Sequence, residues 1–210
     1  PAIRMDLLHS PDHVLPQRLR TPSVLTIHDL SYWAMPETHS RSCRRYYEHC
    51  RESLRRANSI ICVSEFTRDE LFRLSDVDRE KVHVVPSGLA ARFSSTDAPA
   101  IDRARRKYGL IGRYAIFVGT LGHRKNVVRL IEAFLKATAA TDVTLALVGR
   151  PGNAYEDVSR IVSRPEIEKR VRMLGSPPDV DMPALIAGAE FLVLTSLYEG
   201  FGFPVLEAMA

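Results

Sequence analysis

The stretch Tyr114-Ala-Ile-Phe-Val118-Gly119-Thr120-Leu121-Gly122-His123-Arg124-Lys125-Asn126-Val127-Val-Arg-Leu130-Ile131-Glu-Ala-Phe134-Leu-Lys-Ala-Thr138-Ala139 decides the fold class. Tyr114–Val118 is apolar on every residue and too short for a helix, which predicts a fully buried strand. From Asn126 to Ala139 the pattern changes period. Val127, Leu130, Ile131, Phe134 and Thr138 recur at i, i+3, i+4 and i+7 spacing, the face of an amphipathic helix, and Asn126 stands where an N-cap belongs. Between strand and helix lies a loop with two glycines and the cations Arg124 and Lys125. Backbone N–H groups, the positive end of a helix and two cationic side chains converging in this way suit a diphosphate. The plainer alternative is a charged loop that merely starts a helix. No G-x-G-x-x-G run is present, which speaks against a dinucleotide dehydrogenase.

Working outward, the same rhythm repeats. Short apolar runs, most of them rich in Val and Ile, lie at 24–27, 59–63, 82–85, 143–148, 171–174 and 191–194, with helical patterns between most of them. Ser64 ahead of Glu65-Phe66-Thr67 starts one such helix, and Ile101 to Tyr108 reads as another. Strands alternating with helices predict an α/β protein with parallel sheets. Leu89 to Ala100 is rich in Ala, Ser and Pro and reads as a linker, so the expected lobes are 1–95 and 96–210. The chain opens Pro1-Ala2-Ile3 without a starter Met and stops after Ala210, less than two turns into a helix. Both lobes are therefore expected to be incomplete, and such a fragment is expected to hold a ligand poorly and to turn nothing over by itself.

The 210 residues are 45% apolar and 26% charged, as in a soluble globular protein, and no apolar run reaches eighteen residues. The net charge of +4 comes almost wholly from Arg, since five of the 29 basic residues are Lys. Arg41, Arg44, Arg45, Arg51 and Arg55 fall broadly on one side of a helical stretch, with Tyr46, Tyr47, Cys50 and Leu54 towards another. A basic amphipathic helix can rest on anionic lipid, giving peripheral membrane contact at the inner face. A solvated outer face over ordinary core is the preferred reading. No pattern resembles a nucleic-acid-binding module. Cys43, Cys50 and Cys62 are odd in number and lack metal-ligand spacing, which fits reduced thiols in a cytoplasmic protein, with Cys62 in the core.

The C-terminal run Tyr198-Glu199-Gly200-Phe201-Gly202-Phe203-Pro204-Val205-Leu206-Glu207 follows a strand and leads into a helix, with Pro204 in its first turn. Ligands of open parallel sheets bind at the carboxyl ends of strands. Glycines at 200 and 202 let the backbone come close to such a ligand, and Glu199 and Glu207 could accept hydrogen bonds from hydroxyl groups. The run resembles the Glu-x7-Glu motif of the retaining glycosyltransferase family 4. The resemblance implies a GT-B fold, two Rossmann-like lobes facing across a cleft, and transfer of a hexose from a nucleotide diphosphate sugar. It implies that Glu199 contacts the transferred sugar and Glu207 the ribose, with Gly200, Phe201 and Gly202 among the residues that bind the donor. The family's Gly-x-x-x-x-Arg-Lys loop is similar to Gly119–Lys125, so Gly119, Thr120, Arg124 and Lys125 are expected at the diphosphate. Some members carry Arg where Thr120 stands.

Val24-Leu-Thr26-Ile27-His28-Asp29 resembles the family's Thr-x-His-Asp, which implies that His28 lies against the donor sugar; a structural histidine paired with Asp29 or a carbonyl is the alternative. His9, Val63–Thr67 and Val85–Gly88 match more weakly, with Ser87 where many members have Asn. Asp179-Val180-Asp181 spells a metal-holding Asp-x-Asp of another glycosyltransferase class, but Asp181 is read as the N-cap of a helix over Met182–Ala189 and no metal or other cofactor is expected. Ser176 to Asp181 sits where the family has a base-contacting loop. The loop at 119–126 resembles mannosyltransferase-like members, which suggests GDP-mannose as donor and a sugar or lipid-linked acceptor in polysaccharide or glycolipid synthesis. A nucleotide-sugar-binding module without turnover and a glycogen- or sucrose-synthase-like enzyme are the alternatives.

Overall fold

The computed structural model describes residues 5–94 and 96–210. Pro1 to Ile3 of the opening and Ser95 of the linker region, including the residue at the expected 95/96 boundary, lie outside the described residues. The chain forms two compact α/β units. Among the described residues, the first comprises 5–88 together with Glu199–Phe201; the second comprises 89–94, 96–198 and Gly202–Ala210. The division falls after Gly88, ahead of the linker, and a three-residue piece of the C-terminal run groups with the first unit.

The first unit is a parallel sheet ordered β1-β2-β3-β4, from β1 (Leu8–Ser10), β2 (Ser23–Ile27), β3 (Ser59–Cys62) and β4 (Val82–Val84). Its helices are α1 (Ser31–Ala34), α2 (Arg41–Arg56) and α3 (Glu65–Leu74). Leu25, Ile27, Leu30, Ile60, Cys62 and Leu71 are fully buried with Cys50 and Leu54 of α2. Each such aliphatic side chain contributes roughly 1.5–3 kcal/mol on burial. α2 presents Cys50, Ser53 and Leu54 to this core, while Tyr46, expected on the apolar side, is 47% exposed. The Ser64 side chain accepts from the Thr67 N–H and so caps α3.

The second unit is a parallel sheet ordered β7-β6-β5-β8, after α4 (Ala98–Lys107). Its strands are β5 (Tyr114–Val118), β6 (Thr144–Val148), β7 (Val171–Gly175) and β8 (Phe191–Leu192), and its helices α5 (Val127–Ala137), α6 (Tyr155–Val162), α7 (Pro165–Glu168), α8 (Met182–Ala187) and α9 (Phe203–Met209). β5 pairs with β6 along its whole length and is buried on both faces, which is why it reads as an unbroken apolar run. α5 buries Val127, Leu130, Ile131 and Phe134 of the predicted stripe against one face, while Thr138, its fifth member, is the half-buried C-cap. α8 buries Leu185 and Ile186 against the other, with Tyr114 donating to the Leu185 carbonyl at 2.7 Å.

Two cap expectations fail. Asn126 occupies the N-cap position of α5 in a left-handed conformation (φ 56°), and its side chain makes no capping bond. Asp181 precedes α8 but does not cap it. Its carboxylate instead takes Lys107 Nζ and Tyr108 Oη, both at 2.6 Å, because two strong donors on α4 and its C-cap outcompete one backbone amide.

Candidate functional site

In the second unit, β5, β6 and β7 end at the rim of a cavity of about 280 Å³. Val118, Gly119 and Thr120 line it from β5, Val148, Gly149 and Arg150 from β6, Ser176 and Pro177 from β7, and Glu207 from α9. The two leading loops meet without side chains between them. A Cβ built on Gly149 would overlap the Gly119 carbonyl, so only glycine fits. Gly119 N–H donates to Val148 O at 2.9 Å, Leu121 N–H to Arg150 O at 3.0 Å, and Gly149 N–H to Gly175 O at 2.7 Å, so the parallel ladder is carried past the strands into the loops. A larger cavity of about 810 Å³ lies on α4 and the start of α8 rather than at strand ends; among the described residues it shares only Arg92 and Asp179 with the first.

The Arg124-Lys125 loop is a single 3₁₀ turn over His123–Lys125. It is held from below by the segment after β8. Leu197 N–H donates to Arg124 O at 2.8 Å, Thr195 Oγ1 to Lys125 O at 3.1 Å, and the Arg124 guanidinium to Tyr198 O at 2.6 Å. The Lys125 stem lies over Gly119, its Cε 3.4 Å from where a Cβ would stand. The lysine is thereby brought to the strand-end glycine that borders the cavity.

Glu207 is half-buried, and burial raises its carboxyl above the ordinary carboxylate range. Arg92 opposes that rise and the negative charge of Asp179 adds to it. Arg92 itself lies 3.7 Å from Asp179 across the cavity wall. Gly202, at φ 86°, turns the chain into α9 in a conformation that favours glycine.

His28, Glu199, Gly200 and Phe201 belong to the first unit. His28 follows β2 and is exposed, its Nε2 2.7 Å from Pro11 O. Gly200 is buried there. A Cβ on it would collide with the His28 carbonyl, and its own carbonyl accepts from Ser64 Oγ and from Thr67 Oγ1 at 3.1 Å. Thus Ser64 and Thr67 meet the glycine of the C-terminal run.

Of the predicted residues, Gly119, Thr120 and Glu207 line one cavity, with Arg124 and Lys125 in the adjoining turn; His28, Glu199, Gly200 and Phe201 gather in the first unit. Sequence reasoning missed Gly149, Arg150, Arg92 and the buried His13. Gly149 had a signal, since Val148-Gly149 repeats Val118-Gly119 at a strand end.

A family model described as "Glycosyl transferases group 1" matches residues 101–210, the whole strand-end cavity included apart from Arg92 and Phe93. The chain belongs to the group 1 glycosyltransferases. A second model, "Glycosyltransferase Family 4", matches residues 2–92. This group 1 glycosyltransferase is 34% identical over 208 residues to O-antigen chain mannosyltransferase B of Escherichia coli, covering 97% of this chain and 54% of that protein. It is 24% identical to mannosylfructose-phosphate synthase of Agrobacterium fabrum, covering 93% of this chain and 48% of that protein. The chain therefore spans about half the length of the curated relatives it matches. Among solved structures it is similar to Anabaena Alr3699/HepE in complex with UDP-glucose, with 25% identity, a TM-score of 0.74, and coverage of 90% of this chain and 51% of that one. The α/β fold with parallel sheets is that of GT-B glycosyltransferases, as expected.

Proposed function

We propose that the protein acts in a retaining, metal-independent hexosyltransferase that moves mannose from a nucleotide diphosphate sugar to an acceptor hydroxyl in cell-surface polysaccharide or glycolipid synthesis. The observation that carries the reading is the strand-end cavity in which Gly119 and Gly149 bring bare backbone together beside Glu207. A diphosphate needs close backbone approach and positive charge, and the Lys125 stem beside Gly119 supplies the second. The E. coli and Agrobacterium names support a mannosyl donor, and the UDP-glucose held by the Anabaena protein supports a nucleotide-sugar ligand for this fold.

In this reading the bond between the anomeric carbon and the diphosphate oxygen breaks, and its electron pair stays on the diphosphate. Arg124 and Lys125 stabilise that charge, a preorganised electrostatic effect. Glu199 orients the sugar, His28 contacts it, and Glu207 accepts hydrogen bonds from the ribose. The acceptor oxygen attacks on the face the diphosphate leaves, its proton passing to a phosphate oxygen, so configuration is kept. The test incubates the full-length protein with a panel of GDP- and UDP-sugars and acceptor extracts, following released nucleoside diphosphate. Release from GDP-mannose that persists in EDTA is expected. Donor binding without release would replace transfer by a binding role, and activity lost in EDTA and restored by manganese would overturn the metal-free mechanism.

A further inference from the structure

Three consecutive residues of the first unit, Pro11, Asp12 and His13, close around His28. His13 is 4% exposed, and its ring stands edge-on to Tyr32 and Tyr47 at 5.5 and 5.1 Å between centroids, which fixes its plane. Those tyrosines stack on each other at 4.0 Å. The His13 Nδ1 contacts the Asp12 carboxylate, which also accepts from the His13 N–H at 2.8 Å. A carboxylate only accepts, so the ring proton sits on Nδ1. On the far side the N–H of His28 points at Nε2 from 3.2 Å, with that of Asp29 at 3.4 Å. These amides require a lone pair there. The Asp29 carbonyl lies 3.0 Å from the same nitrogen and would engage it only if the ring carried a second proton, at the expense of both amides.

His28 is held at its other end by Pro11. Its Nε2 lies 2.7 Å from the Pro11 carbonyl, an acceptor, so Nε2 carries the proton and Nδ1 of the neutral ring carries the lone pair. The Ser10 hydroxyl, 2.9 Å from the carbonyls of Asp12 and Val14, ties down the turn itself.

We propose that Pro11, Asp12 and His13 are positioning residues that lock the main chain and the tautomer of His28, presenting Nδ1 as its proton-accepting nitrogen. A sugar hydroxyl is the group such a nitrogen would receive; that half of the inference rests on the proposed role of His28, while the locking does not. The two histidines are thus set in opposite tautomers, His13 as Nδ1–H and His28 as Nε2–H.

Long-range proton–nitrogen NMR of the histidine-labelled chain reads directly which ring nitrogen of each histidine carries the proton. Finding the His13 proton on Nε2 would overturn the proposal. His13→Ala should speed exchange of the His28 amide by about tenfold, the loss of one buried hydrogen bond. Equal exchange in both proteins would also overturn it. Should His13→Ala not fold, His13→Gln and His13→Asn carry the test. Glutamine can place an oxygen where Nε2 stands and should restore protection; asparagine reaches only the Nδ1 position and should not. In the turnover assay the same pair should split in kcat with the donor KM unchanged. Full turnover by His28→Ala would remove the sugar-contact role while leaving the NMR result to judge the locking.

Discussion

Gly149→Ala tests whether the strand-end cavity depends on backbone contact between two loops. The added Cβ would lie 2.6 Å from the Gly119 carbonyl carbon and 3.3 Å from Thr120 N, besides overlapping the Gly119 oxygen. Carbon atoms pack at about 3.5–4.0 Å, so the loops must part by about 1 Å. That movement takes the 2.9 Å bond from Gly119 N–H to Val148 O and the 3.0 Å bond from Leu121 N–H to Arg150 O beyond hydrogen-bonding range. Two backbone bonds at about 1 kcal/mol each, with about 1–3 kcal/mol of residual overpacking, give a cost of about 3–5 kcal/mol. At about 2–4 °C per kcal/mol the melting temperature should fall by roughly 10 °C. Thermal melts by circular dichroism and calorimetric titration with GDP and UDP provide the readouts, and nucleotide affinity should be lost with the pocket floor. Gly88→Ala is the matched control, because nothing lies within 4 Å of its Cβ position and it should be neutral. A Gly149→Ala protein that melts within about 2 °C of the parent and binds nucleotide equally well would refute the close-approach argument.

Lys125→Ala should weaken nucleoside diphosphate binding by about tenfold or more while leaving the melting temperature almost unchanged, since the side chain is only half-buried; unchanged affinity would sink the phosphate role. Burial pushes the Cys50 thiol up to about 11 and the Cys62 thiol to about 12, so at neutral pH a thiol reagent should modify Cys43 in the folded chain and the other two only after unfolding, as counted by mass spectrometry. Hydrogen bonds from Lys107 and Tyr108 hold the Asp181 carboxyl below its ordinary value of 3.8. Its contribution to stability is present above that value and is lost as pH falls through the lower folded one, so Asp181→Asn should flatten the acid limb of melting temperature against pH.

β5 was legible to the residue because a strand buried on both faces has nothing but apolar side chains to show. β8 was not. Its apolar run reads on to Leu194, yet the strand ends at Leu192: Val193 N–H makes a last bond to Ile116 O, and the chain then leaves the ladder and gives Thr195 and Leu197 to the carbonyls of Lys125 and Arg124. That choice is made by a loop some seventy positions away and leaves no local mark. α1 and α7 are four residues each, too short to display a period. Gly119 and Glu207, which line the cavity, could be named as candidates because their motif spacing is local. His13 could not: the partners that make it structural, at positions 28, 29, 32 and 47, come together only through the sheet.

The carbonyls of the cationic turn carry one more implication. Arg124 O is taken by Leu197 N–H, Lys125 O by Thr195 Oγ1, and Gly122 O by Lys125 N–H. A peptide oxygen repels an anion much as a peptide N–H attracts one. With three oxygens engaged inside the protein, the preference for negative charge proposed for the loop would arise partly by subtraction. Removing the Thr195 hydroxyl would therefore unmask a repulsive dipole without touching either cation, and a loop can lose its taste for phosphate while keeping all its positive charge.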